Sequence, residues 1–589
     1  MARPYTGKIS TRVIERKQKN GTIYVIEEKR QYNREKGYTE TIESNLLGVK
    51  MSADGQIVNT RPRRTFVNKT VTEVDPTGKV TATRKHVRMM DIVDHVADIS
   101  GIDEDIYSST DLATAKKILS VARYLVCSEA HTLAGIEEWQ YNHPLPYDDG
   151  INKGIYHDLF VDIGKDESLQ QSFFKARLDR EGGVGLYLAC DSSTSSSCSA
   201  LLEKSGELRY GFNKYEDGLP TVKFLVLFSL KTRMPVWFTE LPGNIPDVIT
   251  IKPVLDQLKA LGVKKVTIVS DNGYYSESNL GEMLKQGYDF ITLGNPDVLW
   301  IKKELDNVLT LLRNPAHVCP FDLDIHGVTV PVKRTFEWTR TYASQAKGLK
   351  AGDKDTVNAT VYLHFFFSAQ RKVNEDAKLK EILMEAKQEI ESGISLDSLK
   401  KSVRDLVKQC CIIKYAKDGK ATVTFTDDGF DEACKYHGIF VIITKRKMNT
   451  FDALLWYRKR EEIEDFFRRA KQDACMRHVA VSSSTALQGR MFVQFVALCL
   501  YQSLENEIIR VKDECANEMD SSGKKKNKTV MDEDKKLYNW ISSRSIVRIL
   551  NWFDAYVNVD VSVKLKRKRW STAETRRDRL FLTKLGVIS

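Results

Sequence analysis

The sequence predicts an α/β protein of several domains, and three observations carry that prediction. Two buried-strand runs, 184–191 and 265–270, lead to an aspartate, Asp191 closing the first and Asp271 following the second, with a helix-patterned stretch between them. The segment from Tyr457 to Lys471 has no Pro or Gly and spaces its apolar and charged residues with helical period. Finally, 589 residues are too many for one core.

Composition narrows the class. With 42% hydrophobic and 29% charged residues, the chain reads as an ordinary soluble globular protein. No apolar run approaches the ~20 residues of a membrane span, and the N-terminus lacks the apolar core of a signal peptide. The expected compartment is the cytosol, with no membrane partner. The ten cysteines form no Cys-x-x-Cys pair, so neither a disulfide framework nor a structural zinc is expected. Cys410 and Cys411 sit in an apolar segment and read as core. The net charge of +11 suits a polyanionic partner without establishing one.

Taken in order, residues 1–88 read as a small β-rich basic domain. Strands are expected at 8–16, 22–32, 39–47, 65–74 and 79–88, with hairpin signals at Asn20-Gly21 and Asp54-Gly55. Exposed positions carry Arg61, Arg63, Arg64, Lys69, Arg84, Lys85 and Arg88, which suit either DNA phosphates or a solvated face. Residues 89–150 turn helical, as a DNA-reading or linker domain.

At Gly182 the character changes. After the strand ending on Asp191 and the polar run 192–197 come strands at 221–230 and 234–240 and a helix at 247–261. The strand 265–270 leads into Asp271, and a further strand follows at 289–293. Three strands, a helix and further strands is the order of a ribonuclease H-like sheet. Open sheets of this kind place ligands beyond strand ends. Each aspartate alone could be a turn residue or a helix cap.

Residues 151–297 and 438–511 are therefore read as two parts of one core, interrupted by a mixed α/β insertion at 298–437. In that insertion, strands are expected at 315–332, 334–342 and 421–426, helices at 376–392 and 396–408, and a loop at 351–355. The core resumes with a strand at 438–444. Residues 512–589 are a basic linker and a helical C-terminal region, ending near the basic run 564–570.

On one continuous helix from Tyr457 to Lys471, Ile463, Phe466, Phe467, Ala470 and Ala474 form an apolar stripe. Tyr457, Arg460, Glu464 and Lys471 share an arc ~60° wide. The plain reading is a surface helix laced with ion pairs. The alternative is a metal-binding carboxylate flanked by cations that hold phosphates. Asp191, Asp271 and Glu464 are hard oxygen ligands, suited to Mg²⁺ or Mn²⁺. Two such ions about 3.5–4 Å apart can serve in-line phosphodiester displacement.

The Tyr-x2-Arg-x3-Glu-x6-Lys spacing at Tyr457, Arg460, Glu464 and Lys471 resembles the signature of DDE transposases encoded by bacterial insertion sequences. The strand ending on Asp191, the block from Gly243 to Asp247 and the block from Asp271 to Leu280 are similar to that family's other blocks. The resemblance covers roughly 182–500. Glu461 departs from it, standing where relatives often have an aromatic residue.

The resemblance implies that Asp191, Asp271 and Glu464 bind two Mg²⁺ ions, with Mn²⁺ able to substitute. It implies cleavage of double-stranded DNA at inverted-repeat ends and joining of the 3′-hydroxyl to target DNA, cut-and-paste with a hairpin intermediate. Tyr457, Arg460 and Lys471 would hold the end's phosphates, and Trp338, Tyr436 or Trp456 a flipped base. A homodimeric synaptic complex on the nucleoid of a bacterium or archaeon is also implied. The alternatives are an inert DNA-binding relative and a ribonuclease H-like nuclease without strand transfer.

Overall fold

A computed structural model describes residues 9–17, 23–33, 38–50, 81–129, 132–182, 184–211, 217–339, 350, 352–416, 420–473, 478–520, 528–563 and 566–588. The expected strand 65–74, both hairpin turns and the basic cluster Arg61–Lys69 lie outside them. The chain forms two compact units, Met1–Leu186 with Asp191–Ile245 and Glu462–Ser589, and Tyr187–Cys190 with Pro246–Glu461. Among the described residues, no helix is long and apolar enough to cross a membrane.

In the first unit, Ser10–Lys17, Ile23–Asn33 and Tyr38–Lys50 form the expected antiparallel sheet. The next strand, Thr81–His86, does not join it. It lies within the expected strand 79–88 and pairs with Val557–Val563, which also pairs with Lys566–Ser571, so part of the region read as a basic, helical C-terminal stretch forms two strands of a three-stranded sheet.

Helices Arg88–Ile99, Leu112–Cys127 and Lys153–Lys165 pack on the 37-residue helix Ser484–Asp520. The last contact is backbone to backbone. A Cβ at Gly164 would lie 1.8 Å from the Thr485 carbonyl oxygen, and one at Gly489 1.9 Å from that of Phe160. Only glycine allows the two helices this close.

The unit buries charge as well as apolar surface. Arg123, on Leu112–Cys127, is fully buried; its Nε donates to Asp94 at 2.9 Å and its Nη2 to Asp103 at 2.7 Å. A hairpin of Thr221–Ser229 and Met234–Pro242 brings Phe224 and Phe238 against Phe495 of the long helix. Glu240 lies on that hairpin, where burial pushes its carboxyl up to about 7, with Glu207 adding to the rise.

The folded carboxyl thus keeps its proton above the pH at which the unfolded chain, near 4.5, releases it, so stability falls as pH rises between those values. Glu240→Gln should match the parent's melting midpoint near pH 4.5. At pH 8 it should be more stable, by roughly 1–3 kcal/mol. An unchanged difference across that range would refute this environment for Glu240.

The second unit is built on a mixed sheet. Its strands run in the order Val318–Cys319, Asp322–Thr339, Lys354–Ser368, Ile439–Thr444, Asp289–Gly294 and Lys265–Ser270, followed by the strand that contains Tyr187–Cys190. Only the Lys265–Ser270 and Asp289–Gly294 pair, among those with a described register here, is parallel.

Two expectations are corrected here. The strands predicted at 315–332 and 334–342 are largely one strand, Asp322–Thr339. Its partner, Lys354–Ser368, begins in the expected loop and was not foreseen. The sheet therefore continues into the region read as an insertion. What stands apart is the stretch from Ala369 to Ala433, with helices Ala369–Glu391, Lys401–Cys410 and Asp427–Ala433 and the hairpin Cys411–Tyr415 and Ala421–Phe425. Leu379, Leu383, Ile390, Val407, Val423 and Cys434 close a core of their own there, with both Cys410 and Cys411 buried in it as expected.

Candidate functional site

Lys265–Ser270, an interior strand, keeps Val266–Ser270 buried to its C-terminal end and delivers Asp271 just beyond its last residue, as the sequence predicted. There Asp271 opens a short 3₁₀ turn, Asn272–Tyr274. The turn is tied down by Asn279, a nearly buried residue whose amide donates to the carbonyls of Val248, at 2.6 Å, and Tyr274, at 2.8 Å. Sequence reading missed Asn279. Little in the sequence signalled it, because a polar side chain three residues after the N-cap Ser276 ordinarily reads as part of the helix cap.

Two side chains converge on Asp271 within the same unit. The Tyr457 hydroxyl donates to its Oδ1 at 2.9 Å, and the Arg460 guanidinium lies 3.9 Å from Oδ2. Burial pushes the Tyr457 phenol well above its ordinary range, against the pull of Arg460, and Asp271 raises it further. The phenol stays protonated and can only be the donor of the pair. The Asp271 side chain remains 43% exposed, so the carboxylate is oriented from one side and open on another.

The expected continuous helix from Tyr457 to Lys471 is a correction. Thr450–Arg458 ends at Lys459, Arg460 N–H bonds back three residues to Tyr457, and a new helix, Glu461–Asp473, starts. Ala453 and Leu454 are buried in the second unit, and Ile463, Phe466 and Phe467 in the first. The shared arc of four residues therefore does not exist as drawn. Tyr457 and Arg460 gather at Asp271, while Glu464 and Lys471 share a helix, nearly two turns apart and ~20° in phase.

In the first unit, Glu464 is exposed on Glu461–Asp473 and Lys471 half-buried. Phe466 against Phe228, Phe467 against Phe224, and Arg469 bonded to Glu505 at 2.9 Å fix that helix. Arg233 adds a brace: it adopts a left-handed conformation (φ 56°) in the hairpin turn and reaches Glu462 at 3.4 Å and Glu505 at 3.6 Å.

Asp191 is on Val184–Ser196, but that strand does not end there as expected. It runs five residues further, to Ser196, which bridges to His478: its carbonyl accepts from Val479 N–H at 2.9 Å, and the Ser197 hydroxyl donates to the Val479 carbonyl at 2.7 Å. Polar Ser and Thr side chains hid this pairing from the sequence. The half-buried Asp191 accepts from the Ser192 N–H at 2.8 Å.

The candidate base-holding aromatics divide. Trp338 is core, buried with its indole N–H donating to Glu282 at 3.1 Å. Tyr436 donates to Asp306 at 2.6 Å, and Trp456 stacks on Tyr187 with ring centroids 3.9 Å apart. Two unforeseen clusters, His86–His143–Asp554 and Asp376–Cys434–His437, bring potential ligand atoms within 4.8 Å of one another. Each is already closed by short His–carboxylate contacts, 2.8 Å for His143 to Asp554 and 2.6 Å for His437 to Asp376.

No curated protein matches the chain. Residues 185–303, which include Asp191 and Asp271, match the family model described as Transposase DDE domain, and that match supports the chain's being a DDE transposase.

Proposed function

We propose that the chain is a metal-dependent transposase that cuts the inverted-repeat ends of its own element and joins the 3′-hydroxyls to target DNA. The observation that carries this reading is Asp271, a carboxylate at the end of a sheet strand inside the matched transposase span, oriented by Tyr457 and Arg460. Asp191, Asp271 and Glu464 are the proposed catalytic carboxylates. Their donor set is all hard oxygen, and the open side of Asp271 leaves lone pairs for an ion, so the residues fit Mg²⁺ or Mn²⁺. Two such ions, when bound, supply activation of the attacking oxygen and stabilisation of the leaving one.

The chain's own side chains do the positioning. Tyr457 donates to Asp271 and fixes its orientation, as groups behind a metal ligand do. Arg460, through its planar fork, and Lys471, as a point charge, hold the phosphates of the DNA end. A hairpin on the element's end, a homodimeric synaptic complex and a flipped base held by an aromatic residue belong to the same reading. Of the three aromatics named from the sequence, Trp456 and Tyr436 are the better placed, since Trp338 is buried.

Purified protein, Mg²⁺ and a labelled element end test the activity; cleavage without joining to target DNA would make it a nuclease instead. Metal binding has an independent readout. Fe²⁺ with ascorbate should cut the polypeptide near Asp191, Asp271 and Glu464, and excess Mg²⁺ should suppress the cuts; cuts elsewhere would remove the triad. Tyr457→Phe should shift the Mn²⁺ requirement for cleavage upward by about 10- to 100-fold. An unshifted titration would deny Tyr457 its orienting role.

A further inference from the structure

The sheet made by Thr81–His86, Val557–Val563 and Lys566–Ser571 has two faces that its register separates. Directly paired residues share a face. Lys85, Asn558 and Ser571 form one row, and Thr83, Asp560 and Arg569 the next. The charges on this face are paired within the protein: the Lys85 ammonium donates to the Tyr141 carbonyl, and Asp560, its side chain 11% exposed, accepts from Arg569 at 2.7 Å.

The opposite face carries Arg84, Val559 and Trp570 in one row and Val561 and Lys568 in the next. Arg84 and Lys568 are exposed, and the Trp570 indole is 53% exposed. Cations on outer strands are a common defence against unwanted strand pairing. That defence explains Arg84 and Lys568 but gives no reason for a solvent-facing indole beside them. An apolar ring bounded by cations on a flat sheet matches what nucleic acid offers, phosphates flanking sugar and base surface.

We infer that this face is a docking surface for duplex DNA, with Arg84 and Lys568 on backbone phosphates and Trp570, in the row of Arg84 and on the strand of Lys568, against the groove wall. The two cations stand two strand spacings and one row apart, roughly 12 Å between their backbone positions, a span comparable with a major groove about 12 Å wide. The inference rests on the transposase reading for the identity of the polyanion. It adds where the chain, outside the proposed catalytic residues, grips it.

The test is fluorescence anisotropy of the full chain with a labelled mixed-sequence duplex across a salt series. The double variant Arg84→Ala, Lys568→Ala should bind roughly tenfold or more weakly near 0.1 M salt and lower the log–log salt slope by about two. Trp570→Ala should weaken binding about fivefold with the slope unchanged, and Trp570→Phe should restore most of it. Lys378→Ala, exposed on the helix Ala369–Glu391, is the charge control and should bind as the parent does. Parent-like slope and affinity in the double variant would overturn this surface while leaving the transposase reading intact. Failure of the unmodified chain to bind any duplex would overturn both.

Discussion

Glu464→Gln is expected to reduce strand cleavage by about three orders of magnitude or more, while element-end DNA still binds within about twofold of the parent. The substitution keeps the shape of an exposed side chain and removes only its charge, so folding is not at stake. Asp191→Asn and Asp271→Asn should behave alike, because each proposed ligand loses an anionic oxygen. For Asp271 the loss has a second component: the Tyr457 hydroxyl and Arg460 would be left facing a neutral amide. Gel assays of cleavage and mobility shifts of the same labelled end separate the two effects. Cleavage retained in Glu464→Gln would remove Glu464 from the catalytic set. Binding lost together with cleavage would make it a DNA contact instead.

The second large effect is on stability. Arg123→Met should strip the first unit of about 3–5 kcal/mol, because Asp94 and Asp103 would remain buried without their cation. Adding Asp94→Leu and Asp103→Leu should recover most of the loss, since a matched apolar set needs no compensation for buried charge. The midpoint of the first thermal transition, compared among parent, single and triple variants, reads both steps. A single variant as stable as the parent would mean that the arginine is not what holds the two carboxylates inside.

How much of this was legible in the sequence depended on the range of the signal. Lys265–Ser270 and Asp271 were read correctly because a short apolar run followed by a polar turn is complete within ten residues. The segment from Tyr457 to Lys471 looked like one helix because its helical period runs unbroken through Lys459 and Arg460, where the helices Thr450–Arg458 and Glu461–Asp473 part. Lys354–Ser368 carried its own evidence, alternating Val, Tyr and Phe, but its charged start obscured it. The pairing of Thr81–His86 with Val557–Val563 joins segments nearly a chain length apart, and no local pattern announces such a partner. Tyr457 and Arg460 were read as candidate phosphate-holding residues, and their contacts with Asp271 emerged only from the folded chain.

The helical stretch between Lys354–Ser368 and Ile439–Thr444 leaves the sheet and returns to it at one point, where Ser368 N–H bonds the Gly438 carbonyl at 2.9 Å. Gly438, at φ 82°, makes that closure possible; a Cβ there would lie 2.6 Å from the Ser368 carbonyl oxygen. With its ends already pinched together and its apolar interior self-contained, the stretch behaves as a cassette clipped to the scaffold. Lineages could lengthen, trim or exchange it with little entropic penalty for closing the loop, and the neighbouring strands would keep their alignment throughout.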